Sequence, residues 1–114
     1  MLITTGEKMH IVMRRRFAED IRRHFAGTVT EAEGAVVRID GYAFVFDSRK
    51  NQFMKKTEIR HSIFDIAAEG YIVNILPPDV EIKDLRYQVS EQGDLVFTDN
   101  KRFSLDINEF GVNR

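Results

Sequence analysis

The most regular pattern of hydrophobic and polar positions lies in the C-terminal third of the chain. Apolar residues alternate with polar ones in three segments there, at Leu85, Tyr87 and Val89, at Leu95 and Phe97, and at Phe103, Leu105 and Ile107. A period of two is typical of strands that bury one face and expose the other. Polar turns at 92–94 and 99–101 separate the segments. The pattern predicts a three-stranded antiparallel meander over residues 83–110.

Glycine punctuates a series of β-branched and aromatic segments in the middle of the chain. Gly41 falls inside the apolar stretch 35–46, and a glycine inside a strand commonly marks a bend. This stretch therefore predicts one long, sharply bent strand. The segment 71–76 is apolar on both faces apart from Asn74, which predicts a central, buried strand that Pro77 ends.

Two periods follow each other near the N-terminus. Residues 9–13 alternate and predict a strand, whereas Phe17, Ile21 and Phe25 are spaced four apart, as on one face of a helix. Acidic side chains lie early in this segment, basic ones lie late, and Gly27 follows, which is the order that the helix dipole and a glycine C-terminal stop favour. We therefore expect a helix over residues 15–26.

Charge is distributed unevenly along the chain. The 114 residues carry a net charge of −1, which excludes a strong overall attraction to nucleic acid. Residues 1–60, however, carry 12 Lys/Arg against 8 Asp/Glu, whereas residues 61–114 carry 5 against 10. Two interpretations stay open: the basic half holds phosphate, or copies or lobes of the protein pair basic with acidic surface.

Residue types that carry chemistry are sparse. The chain has no Cys, which excludes disulfides and thiolate sites and fits a reducing compartment. His10, His24 and His61 lack the spacing of metal ligands on a helix, so we interpret them as polar tips on half-exposed elements. The sequence predicts a protein without catalytic residues, metal or cofactor.

Two basic clusters are the remaining candidates for binding. The first comprises Arg14, Arg15, Arg16, Arg22 and Arg23, and the second comprises Arg49, Lys50, Lys55, Lys56 and Arg60. Phe53 lies within the second cluster, where an exposed ring beside cations could stack on a base of single-stranded nucleic acid. The alternative, which we favour, is a charged outer face with Phe53 in the core.

The segment 41–51 resembles the first signature of the Sm-like small β-barrel family. Gly41, Asp47 and Asn51 match the spacing of glycine, aspartate and asparagine in that signature. The resemblance implies a bent strand followed by a loop in which Asp47 and Asn51 shape a uracil-preferring RNA pocket and Arg49 stacks on the base. The Arg-Gly of the second signature is replaced by Leu76-Pro77.

Together these observations give one prediction of the fold and the function. We expect a mainly β fold, a small Sm-like or SH3-like barrel in a single domain over residues 1–114, with a helix at 15–26, the barrel at 27–82 and the meander at 83–110. We expect a soluble, cytoplasmic homo-oligomer that acts as a non-enzymatic assembly or adaptor module, without membrane or small-molecule partners. The alternative is a protein that binds single-stranded RNA through Asp47, Arg49, Asn51, Lys55 and Lys56.

Overall fold

The computed structural model describes residues 2–15 and 17–107, and these fold mainly as antiparallel β-strands. The strands are β1 Lys8–Met13, β2 Arg23–Glu33, β3 Val36–Asp47, β4 Gln52–Lys55, β5 Arg60–Asp65, β6 Tyr71–Leu76, β7 Arg86–Val89, β8 Leu95–Thr98 and β9 Ser104–Asp106. A 3-10 helix, Ile82–Asp84, precedes β7. The chain divides into two compact units, the N-terminal unit Met1–Pro78 and the C-terminal unit Asp79–Arg114.

The N-terminal unit is one antiparallel sheet in the order β4-β3-β2-β1-β6, with β5 also paired to β3. The 12-residue strand β3 pairs with β2 along one edge and changes partner along the other. Its first half, Val36 to Gly41, faces β5, and its last four residues, Phe44 to Asp47, face β4. The predicted single long strand through Gly41 is therefore confirmed.

The change of partner on β3 coincides with an unusually close approach of β2. Gly27 and Gly41 stand directly opposite each other. A Cβ at Gly41 would overlap the carbonyl oxygen of Ala26 and the Cα of Gly27. Because the obstructing atoms are backbone, only glycine allows the two strands to pass at this separation.

The predicted closed barrel is wrong. Within the described residues, β6 pairs only with β1, and β4 and β5 pair only with β3, so no ladder joins the two ends of the sheet. The sheet is open because β4 and β5 both pair with β3, each along a different half of that long strand. Neither strand reaches across to close the sheet against β6.

The predicted helix at 15–26 is also wrong. Arg23 begins β2, and the preceding residues form a turn in which Asp20 N–H donates to the Phe17 carbonyl at 3.0 Å. Phe17 and Ile21 are 63% and 56% exposed, whereas Phe25 is buried in the sheet. A stripe of three apolar residues gives a helix too little burial to nucleate, and pairing with both β1 and β3 takes Phe25 into a strand. Arg16 lies outside the described residues.

One face of this sheet holds the hydrophobic core of the N-terminal unit. Strands β1, β2 and β3 contribute alternate side chains to it, and the central ones are Met9, Ile11, Phe25, Val37 and Ile39. Strand β6 adds only half-buried residues to this core. It lies at an edge of the sheet, so its predicted central position is wrong.

The C-terminal unit is the three-stranded sheet β7-β8-β9, and the predicted antiparallel meander is confirmed. Its buried side chains include Leu85 and Phe97, both 0% exposed. The turn after β8 is held by the Asp99 carboxylate, which accepts N–H bonds from Lys101 at 2.9 Å and Phe103 at 3.0 Å. Residues 108–110 of the predicted meander lie outside the described residues. Among the residues described, no helix is long and apolar enough to cross a membrane.

Candidate functional site

Three of the sequence-predicted RNA residues lie together in the turn between β3 and β4. Asp47 ends β3, and its carboxylate accepts N–H bonds from Arg49 at 3.0 Å and Lys50 at 3.4 Å. Asn51 adopts a left-handed conformation with a φ of 54°, which asparagine tolerates better than most residues. Asp47 and Asn51 therefore shape the turn, and the Arg49 side chain projects from it into solvent.

Lys55 and Lys56 lie at the other end of β4. A strand rises about 3.3 Å per residue, so Lys55 lies roughly 13 Å along the backbone from Asn51. The Lys55 ammonium sits 4.6 Å from the centre of the Tyr42 ring, a cation–π contact. Lys56 is exposed, and its N–H donates to the Ala43 carbonyl at 2.9 Å. The five predicted residues thus form two groups and not one pocket.

Phe53 is part of an aromatic cluster that spans three strands. Its ring stacks on His24 with centroids 4.6 Å apart and meets the edge of Phe46 at 5.3 Å. The Arg22 guanidinium lies 5.4 Å from the centre of the Phe46 ring. Phe53 is half-buried in these contacts, which favours the interpretation of Phe53 as a packing residue over a base-stacking one.

His10 and His24 are brought together by the pairing of β1 with β2. Their rings meet edge to face at 5.6 Å, and the Asn74 amide of β6 donates to Nδ1 of His10 at 3.3 Å. The predicted half-exposed positions are wrong for both, since His10 is 0% and His24 8% exposed. The sequence could not show this burial, because local spacing does not reveal that the face of the sheet opposite Met9 is covered as well. His61 is exposed on β5, as predicted.

Burial makes both of these histidines poor bases. It is the main reason that the pKa of His10 is lowered from 6.5 to about 3, with the neighbouring His24 adding to the effect. Burial likewise lowers the pKa of His24 to about 4, with a further contribution from Arg22. Both rings are therefore neutral at pH 7 and act as packing and hydrogen-bonding groups.

The topology brings parts of the two basic sequence clusters to one end of the N-terminal unit. The β1–β2 connection begins with Arg14 and ends with Arg22, whose carbonyl accepts the N–H of Phe46 at 3.0 Å. Phe46 lies one residue before the end of β3, so the β3–β4 turn with Arg49 and Lys50 lies at the same end. We call this set the basic end; its described cations are Arg14, Arg15, Arg22, Arg23, Arg49 and Lys50.

Strand β5 carries a feature that the sequence analysis did not single out. It pairs with β3 alone among the described strands, and Ile63 on it is 63% exposed. His61 contacts Asp40 of β3 through Nδ1 and Oδ1, 2.6 Å apart. The sequence shows Ile63 and Phe64 side by side between polar residues, but no pattern in it shows that β5 is an edge strand.

Few other arrangements in the described residues suggest chemistry. No three His, Cys, Asp or Glu side chains in ranges 2–15 and 17–107 are grouped to hold a metal ion. A concavity of about 430 Å³ in the C-terminal unit is lined largely by polar side chains. Two of these, Gln88 and Asn100, bond each other at 2.7 Å and 3.2 Å, so they satisfy each other.

Comparison of the chain with protein families, curated proteins and solved structures finds no match.

Proposed function

We propose that this protein is a non-enzymatic assembly module whose sheet edges join copies of the chain. The open sheet of the N-terminal unit supports this proposal most directly. Within the described residues β5 and β6 each pair with one strand only, and each carries an exposed isoleucine, Ile63 at 63% and Ile75 at 57%. An unpaired edge with exposed apolar side chains invites pairing with another strand.

The charge distribution supports the same proposal. Copies with little net charge repel one another weakly, and basic and acidic surfaces on different copies can meet. The Sm-like likeness of the segment 41–51 is compatible with it, since proteins of that family work as rings. The open sheet leaves edges through which such an assembly can form.

Light scattering across a hundredfold range of protein concentration tests the assembly. We expect a particle of at least twice the 13.3 kDa chain mass at high concentration. Ile63→Lys and Ile75→Lys place a charge on β5 or β6 respectively, and charge on an edge strand opposes pairing. One of the two variants should lower the mass to that of a monomer. A wild-type chain that stays monomeric throughout contradicts the proposal.

A second candidate function, binding of single-stranded RNA, is favoured by the basic end. Six cations from the β1–β2 connection, the first residue of β2 and the β3–β4 turn gather there, and Phe17 in the connection is 63% exposed. Cations beside an exposed ring can hold phosphates and stack a base. Asp47 already bonds the turn backbone, so the cations and not the Sm-like pocket carry this candidate.

Fluorescence anisotropy with labelled oligouridine tests the RNA candidate. With about three phosphate contacts, a fourfold rise in salt lowers the affinity roughly 20-fold. The pair Arg49→Glu and Lys50→Glu should weaken binding more than the pair Lys55→Glu and Lys56→Glu, because Lys55 is half-buried against Tyr42. Arg38→Glu, at the opposite end of β3, is the control. Affinity that responds to neither salt nor these changes refutes the candidate.

A further inference from the structure

The backbone N–H and C=O groups on the outer edge of β5 can be assigned to particular residues. The N–H of Ile66 donates to the carbonyl of Ala35 at 3.0 Å, which extends the β3–β5 ladder by one position. In an antiparallel ladder the residues that bond a given neighbour alternate. Even-numbered residues of β5 therefore bond β3, and the backbone groups of His61, Ile63 and Asp65 point away from it.

The same three residues also share one face of the sheet. His61, Ile63 and Asp65 stand opposite Asp40, Arg38 and Val36 of β3. Ile63 is 63% exposed and Val36 is 44% exposed, and the two are diagonal neighbours on this face. The edge thus combines outward backbone groups with a small apolar centre, and it carries an imidazole at one end and a carboxylate at the other. Of these backbone groups, the Asp65 carbonyl already accepts the N–H of Ala68 at 3.0 Å.

We propose that two copies of this chain join through β5, antiparallel and centred on Ile63, to form one continuous sheet. This rests on the proposed assembly function and names its partner, strand and register. A twofold axis perpendicular to the sheet keeps like faces together, so residues opposite each other must share a face. Centring on Ile63 places that side chain against its own copy.

Apolar contact at the axis favours this register. With Ile63 at the axis, each Ile63 packs against its own copy, and His61 of each copy stands opposite Asp65 of the other. Nδ1 of His61 already contacts Asp40, and the Asp65 carboxylate already accepts the N–H of Ala67, so the pair of Ile63 side chains is the main contribution. Centring on Ser62 instead places Ile63 opposite His61 and gives no apolar pair. The backbone N–H and C=O groups of Ile63 also find partners in the Ile63-centred register.

A single engineered cysteine tests this register directly, because the chain contains no other Cys that could form a disulfide. Residues that exchange hydrogen bonds across an antiparallel pair have Cα atoms about 5.5 Å apart, within the range of a disulfide. Ile63→Cys should therefore form a covalent dimer under mild oxidation. Ile75→Cys, a matched isoleucine on the other edge strand, should cross-link at least tenfold more slowly.

A cysteine at a second position distinguishes the proposed register from simple proximity of the two β5 edges. In the Ile63-centred pairing the two copies of residue 62 are offset by two positions, roughly 8 Å apart at Cα, which is too far for a disulfide. Ser62→Cys should therefore form no disulfide-linked dimer on oxidation. Cross-linking that is faster for Ser62→Cys than for Ile63→Cys overturns the register.

The effect of a like charge at the axis distinguishes this inference from the broader proposal. Ile63→Glu sets two carboxylates against each other, so the mass in light scattering should fall to that of one chain, whereas Ile75→Glu should leave it unchanged. A wild-type oligomer that persists in Ile63→Glu overturns pairing through β5 and leaves assembly through another edge. A wild-type chain that is monomeric at every concentration overturns both.

Discussion

Replacing Gly41 by alanine should lower the free energy of unfolding by about 3 kcal/mol, since added bulk in a tightly packed site typically costs about 1–3 kcal/mol and here meets backbone. The new Cβ would overlap the Ala26 carbonyl oxygen and the Cα of Gly27, and neither can move without separating β2 from β3. Because β3 also carries β4 and β5, the strain acts on most of the N-terminal sheet. Urea unfolding followed by circular dichroism measures the loss.

Gly34→Ala is the matched control for this substitution. Gly34 has a φ of 61° and no atom near the position of a new Cβ, so its replacement adds only the cost of a left-handed alanine, about 1 kcal/mol. If Gly41→Ala costs no more than Gly34→Ala, the close approach of β2 and β3 at Gly41 is refuted.

Acid should destabilise the protein well above the pH at which most carboxylates titrate. The pKa values of His10 and His24 are lowered to about 3 and about 4, mainly by burial. The unfolded chain takes up protons on these rings near pH 6.5, whereas the folded chain does so only near pH 4 and below. The folded state is therefore favoured above pH 6.5 and loses stability as the pH falls from there toward 4.

The size of this loss follows from proton linkage. Each histidine contributes up to about 1.4 kcal/mol per pH unit between the two pKa values, so the pair accounts for about 2 to 4 kcal/mol between pH 7 and pH 5. His24→Phe removes one proton site and retains a ring beside Phe53, so it should roughly halve the slope of unfolding free energy against pH. An unchanged slope in His24→Phe contradicts the burial of this pair.

The parts of the fold that the sequence predicts are those fixed by local alternation. The strands around Tyr87 and Phe97 and the long strand through Gly41 each follow from a period of two or from a glycine in an apolar run. The predicted helix was wrong because Phe17, Ile21 and Phe25 show a helical spacing that pairing between distant strands overrides. Local spacing contains no information about which strands will flank a segment.

The candidate site was predictable only in part for the same reason. The turn formed by Asp47 and Asn51 is local, so a short signature identifies it. The separation of Lys55 from that turn depends on the length of β4, and the burial of His10 depends on strands that are distant in sequence. Strand β5 lies at an edge because only β3 pairs with it among the described strands, and the sequence of β5 alone does not show this.

Amide hydrogen exchange at Ile63, measured at low and high protein concentration, tests assembly through the β5 edge most directly. The Ile63 N–H points away from β3 and should exchange quickly in dilute protein but slowly in concentrated protein, where the second copy accepts it. The Ser62 N–H bonds β3 and should be protected at both concentrations. Rapid exchange at Ile63 in concentrated protein would contradict the account.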